Sequence, residues 1–88
     1  MRISVDKNDP GYSPFAASSV DKVKLNGEVL RYVVTADDKL GIVVYYPLDD
    51  NGRLIREDDD EIFKIEASGT VEIFLKPGVD PTLLTGVQ

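Results

Sequence analysis

"VDKVKLNGEVLRYVVTADDKLGIVVYY", residues 20–46, is the stretch whose reading decides the fold. In its first arm Val23 and Leu25 alternate with Lys22 and Lys24, the period-two spacing of a half-buried β-strand. Asn26-Gly27 follows, and because both residues tolerate positive φ the pair suits a two-residue type I′ hairpin turn. The next arm, "EVLRYVVT" (28–35), sets Leu30, Tyr32 and Val34 on one face and Val29 and Val33 on the other. After the polar turn "ADDK", "LGIVVYY" (40–46) sets Leu40, Ile42, Val44 and Tyr46 against Val43 and Tyr45. Strands apolar on both faces belong in the middle of a sheet or sandwich, so 20–46 reads as a meander.

Toward the C-terminus, "PLDDNGRLIREDDDE" (47–61) breaks the alternation with Pro47, Gly52 and dense charge, leaving Leu54 and Ile55 as a short edge strand. "IFKIEASGTVEIFLK" (62–76) reads as a second hairpin turned at Ser68-Gly69, with Phe63, Ile65 and Ala67 on one face of its first arm and Val71, Ile73 and Leu75 on one face of its second. A short helix over 59–68 is the competing reading, since Asp58 and Glu61 approximate a capping box and Gly69 suits the residue after a helix end. The clean alternation favours the strand. Pro77-Gly78 turns the chain into a C-terminal tail, 77–88.

Toward the N-terminus lies the short alternating piece "RISV", followed by "DKNDPGYSPFAASS" (6–19), whose Pro10-Gly11 and Ser13-Pro14 mark turns. This segment is a loop or ordered arm, and its Tyr12 and Phe15 are expected to plug one end of the core, with a partner-binding arm as the competing reading. The whole chain, 1–88, is therefore expected to form a single all-β domain. Its architecture would be a small antiparallel sandwich or partly open barrel of five to six strands.

Composition bounds the chemistry. A domain of this size buries only about 60–65% of the surface its unfolded chain exposes, so its core is small. With no cysteine, disulfides, thiolate metal sites and cysteine nucleophiles are all excluded. With no histidine, the usual general base and the commonest zinc ligand are missing too, which excludes a zinc hydrolase or a Ser-His-Asp enzyme. A net charge of −6 and a pI of about 4.4 oppose binding to phosphate backbones, so direct nucleic-acid and anionic-membrane partners are not expected. The start, "MRISVDKNDP", has no apolar run of signal-peptide length, and no later run reaches that of a membrane span. These features read as a cytoplasmic protein.

"LNGEVLRYVVTADDKLGIVVYYPLDDNGRL" (25–54), with a strand entering "ADD", a Gly-containing strand leaving it and a "DDNGR" turn beyond, resembles short proteins encoded in phage and prophage genomes. The resemblance covers about a third of the chain and implies a small phage-related β protein, of the host-cell cytoplasm or associated with a virion. It brings no catalytic or ligand motif with it.

Residues 49–61 hold the densest charge, seven carboxylates (Asp49, Asp50, Glu57, Asp58, Asp59, Asp60 and Glu61) against two arginines, a local −5. Calcium fails on spacing: with Gly52 at the invariant glycine of an EF-hand loop, the first ligand position falls on Pro47 and the closing one on Asp58. Asp50-Asn51-Gly52 reads instead as turn chemistry. As a patch, the seven carboxylates suit a basic partner, which makes an acidic inhibitor or decoy of a basic host protein the alternative function. The acid pairs Asp37-Asp38 and Asp49-Asp50 sit in polar turns without a histidine or a pocket motif, so no catalytic residue, metal or cofactor is expected. The favoured reading is a non-catalytic structural or accessory module that binds a protein partner or self-associates, with Tyr12, Phe15 and Tyr45 as its apolar contacts.

Overall fold

The computed structural model describes residues 1–56 and 61–80. Within them the elements run β1 (Arg2–Ser4), α1 (Ala16–Ser19), β2 (Val20–Leu25), β3 (Glu28–Leu30), β4 (Val33–Asp37), β5 (Ile42–Tyr45), β6 (Ile65–Ser68) and β7 (Val71–Leu75). The strands form two antiparallel sheets, one of four strands in the order β1-β4-β5-β6 and one of three in the order β3-β2-β7. The chain is thus the all-β antiparallel sandwich read from its sequence, open at its edges, with seven described strands where five or six are expected.

The Asn26-Gly27 turn forms as its residues dictate. Leu25 faces Glu28 across a two-residue connection, and Asn26 and Gly27 take φ of 52° and 84°. The meander over 20–46 does not form as one sheet. β3 ends at Leu30, Tyr32 takes φ 57°, and Val33 opens β4 in the other sheet. Leu30 and Val33 both pack on the core, and in a continuous strand residues three apart would face opposite sides. The left-handed turn at Tyr32 lets both face inward.

The same parity conflict recurs twice and is met by β-bulges. Val33 and Ala36 both face the core because the register between β4 and β5 slips at Val34, and Val20 and Val23 both do so because the register between β2 and β7 slips at Asp21. The buried apolar cluster is Ile3, Val23, Ala36, Val43 and Val71, with Ala36 and Val43 at 0% exposure. Leu25, Tyr45, Ala67, Ile73 and Leu75 pack around it.

Residues 62–76 depart from the expected hairpin. β6 pairs with β5 and β7 with β2, so Gly69 and Thr70 carry the chain from one sheet to the other. Turns from both sheets satisfy this crossing: Gly69 N–H donates to Gly41 O (2.9 Å), Asn26 N–H to Thr70 O (2.8 Å), and Thr70 N–H to Asn26 Oδ1 (2.9 Å). The competing helix over 59–68 is not what forms at Ile65–Ser68, which pairs with β5 as a strand. Asp59 and Asp60 lie outside the described residues. Leu54 makes one bridge, to Leu48, and the expected strand at 54–55 is absent among the described residues. Pro77-Gly78 turns as read, with Val79 N–H donating to Lys76 O (3.2 Å). The tail from 81 onward is outside the described residues.

The arm is ordered along β1. Ser4 N–H donates to Gly11 O (3.0 Å) and Ser13 N–H to Ser4 O (3.2 Å), so residues 11–13 cover the outer edge of the four-stranded sheet. Its small residues Ser13, Ala16 and Ser19 turn inward, while Tyr12 and Phe15 stay exposed, the reverse of the expected aromatic plug. No helix among the described residues is long and apolar enough to cross a membrane.

Candidate interaction surfaces

The acidic segment begins as a turn. Asp49 Oδ1 accepts from the N–H groups of Asn51 (2.8 Å) and Arg53 (3.0 Å), while the main chain of Asp49 bonds Arg53 and Gly52. This is an Asx turn closed by Gly52 at φ 77°, formed where Asp50-Asn51-Gly52 reads as a turn but with Asp49 as its Asx residue. Asp50 and Glu61 are exposed, and Glu57, Asp58, Asp59 and Asp60 lie outside the described residues. Among the described residues no group of carboxylates is placed to hold a metal ion.

The acids held by other groups are elsewhere. Arg2, on β1, meets Asp9 of the arm through two parallel bonds, Nε to Oδ1 (2.9 Å) and Nη2 to Oδ2 (2.8 Å), and reaches Asp37 Oδ2 at 3.3 Å. Asp37 Oδ1 also accepts from the N–H groups of Leu40 (2.8 Å) and Lys39 (2.9 Å). Hydrogen bonds to the ionised form hold both carboxyls below the usual range, chiefly the Leu40 N–H at Asp37 and the Arg2 guanidinium at Asp9. Burial opposes the shift in each case and does not win. Fixed charges of this kind brace the arm and the β4–β5 turn against β1. They are poorly matched to proton transfer near neutral pH.

Four surfaces remain. The first is a groove of about 320 Å³ between the sheets, lined by Ile3 of β1, Ala17 of α1, Val20 and Val23 of β2, and Tyr32, with Asp21 and Lys22 among its polar groups. Tyr32 stands at its rim, 54% exposed, with its carbonyl accepting from Tyr46 N–H (3.1 Å). The second is the outer face of the three-stranded sheet, where the ammonium groups of Lys22 and Lys24 lie 5.1 and 5.4 Å from the ring centre of Phe74. Neither lysine makes an ion pair among the described residues. The third and fourth are the edges of β6 and β7. No described strand pairs with the outer side of either.

Of the apolar contacts read from the sequence, Tyr12 and Phe15 are exposed, while Tyr45 is half-buried against the core and is not brought to them. Sequence reasoning passed over Val5, Val29, Tyr32 and Leu40 as exposed apolar groups. It also passed over Arg2, whose partners Asp9 and Asp37 lie 7 and 35 positions away. A lone arginine in "RISV" carries no local signal for that contact. Comparison with known proteins finds no matching family model, no matching curated protein and no matching solved structure.

Proposed function

We propose that this chain is a non-catalytic protein-interaction module, structural or accessory in kind like the phage proteins that residues 25–54 resemble, and that it works through its sheet edges. One observation carries the reading: β6 and β7 follow each other across Gly69 and Thr70, each is the last strand of its sheet, and the outer side of each is unpaired by any described strand. Unpaired N–H and C=O rows are templates for adding a strand. The other two edges are less available, since residues 11–13 cover β1 and β3 has three residues.

The test is a photo-crosslinking residue placed at Ser68 or Glu72, both exposed on the edge strands, with Asn8 in the arm as the control. Irradiation in the cells that make the protein is expected to yield a discrete protein adduct from the edge positions and none from the control. Edge positions that give no adduct, or give no more than Asn8, sink the reading.

A further inference from the structure

We infer that β7 is a self-recognising edge: two copies of this chain join through antiparallel pairing of β7 with β7 about a two-fold axis at Ile73, making one six-stranded sheet. This rests on the reading above that the chain works through its edges, and it names both the edge and the partner.

Backbone parity supplies the hydrogen bonds. Lys24 faces Glu72 and Lys22 faces Phe74 in the ladder, and Asn26 N–H reaches Thr70 O just before it while Lys76 N–H reaches Ser19 O just after it. In an antiparallel pair only alternate residues exchange bonds with one neighbour. The even-numbered residues of β7 are therefore committed to β2, and the N–H and C=O groups of Val71, Ile73 and Leu75 point to the open side. Centring a two-fold on Ile73 pairs Val71 with Leu75 and Ile73 with itself, which makes about six backbone hydrogen bonds. At five residues β7 is the longest edge strand in the described structure.

Side chains agree on both faces. Inward, Val71, Ile73 and Leu75 meet the same three residues of the second copy, which joins the two cores; Ile73 and Leu75 are half-buried in the single chain and have surface left to cover. Outward, the pairing sets Glu72 beside the second copy's Phe74. That ring already carries two ammonium groups that make no ion pair among the described residues. Each row across the new sheet reads Lys24, Glu72, then the second copy's Phe74 and Lys22, so each carboxylate lies between lysines of both copies. The two glutamates fall on a diagonal and are outnumbered by four lysines. On a chain of net charge −6, which repels its own kind, Lys22, Lys24 and Glu72 bring the contact to only +1 per copy, and its attraction comes from the alternation of sign within each row.

Hydrogen exchange by NMR reads this residue by residue. In the unmodified chain, raised from about 10 μM to about 1 mM because so short an interface is weak, the amides of Val71, Ile73 and Leu75 are expected to gain at least tenfold protection. The amides of Glu72 and Phe74 are expected to be protected throughout, and sedimentation is expected to show a dimer. Glu72→Lys, and separately Lys22→Glu with Lys24→Glu, are expected to lose the added protection and the dimer while staying folded by circular dichroism. Mixing these two variants restores opposite charges in every row, and the dimer is expected to return. Concentration-independent exchange at Ile73, or a dimer indifferent to Glu72→Lys, overturns the inference. A cross-link from Ser68 or Glu72 to a different protein, with no self-pairing, would overturn it and leave the edge-binding reading standing.

Discussion

Gly69 donates its backbone N–H to the carbonyl oxygen of Gly41 at 2.9 Å, and in so doing ties the crossing between the sheets to the β4–β5 turn. The approach is so close that a Cβ built on Gly41 falls 2.5 Å from Gly69 O. Two glycines here let two pieces of main chain touch.

Gly41→Ala is therefore expected to be severe. The residue holds φ 67°, and its new methyl would meet main chain instead of a side chain that can move aside. A loss of about 2–4 kcal/mol is expected from backbone strain and overpacking together. Gly52→Ala is the control, with φ 77° but nothing within 4 Å of the added Cβ, and it should cost about 1 kcal/mol. Urea unfolding midpoints of the two variants separate steric contact from conformational strain.

Asn26 serves two purposes, and two variants divide them. Asn26→Gly keeps the left-handed conformation and removes the Oδ1 acceptor for Thr70 N–H, at an expected cost of about 1 kcal/mol. Asn26→Val removes the acceptor and adds a β-branched side chain at φ 52°, so about 2–3 kcal/mol is expected. Faster amide exchange at Thr70 should accompany both.

Tyr32 is held at φ 57°, an outlier for a bulky residue, and its ring is 54% exposed. Tyr32→Gly is expected to stay within about 1 kcal/mol of the unmodified chain, since relief of strain offsets the lost ring contacts and added chain entropy. Tyr32→Ile should cost about 1–3 kcal/mol because the conformation stays and the side chain is branched. Equal stability of the two would show that the left-handed turn is not what the position demands.

The acid side of the stability profile should report on Arg2 and its partners. Asp9 and Asp37 are more acidic folded than their ordinary value of 3.8, so the unfolded chain binds protons first as pH falls. Their contribution is complete well above pH 3.8, begins to fall as that value is approached, and is gone once pH has passed below the lowered folded values. Asp37→Asn should lower the unfolding midpoint at pH 7 and flatten its decline between about pH 5 and pH 2. Urea titrations across that range check it; a decline as steep as that of the unmodified chain would remove Asp37 as a cause.

The β character of this chain is written in its local pattern, and so are its turns. Alternation in 22–25 and 71–75, the positive-φ pair Asn26-Gly27 and the Asx turn at Asp49 each depend on neighbours in sequence. The acidic run is legible only as composition, and of it the described residues place Asp49, Asp50 and Glu61 alone. Tyr12, Phe15 and Tyr45 stand out in the sequence as aromatics, and aromaticity does not say which of them faces out. Tyr45 was turned inward by pairing with Val33 across the bulge.

What the sequence by itself determined is which residues tend to share a face of a strand, because side chains alternate wherever the backbone is extended. Which strands share a sheet was decided only by the tertiary structure. Leu30 with Val33, Val33 with Ala36, and Val20 with Val23 each stand three apart and all turn inward, so the chain must break alternation at Tyr32, Val34 and Asp21. No local preference of those residues marks the breaks. They arise because burying both members of each pair in one core outweighs keeping a straight strand, and that comparison exists only once two sheets face each other.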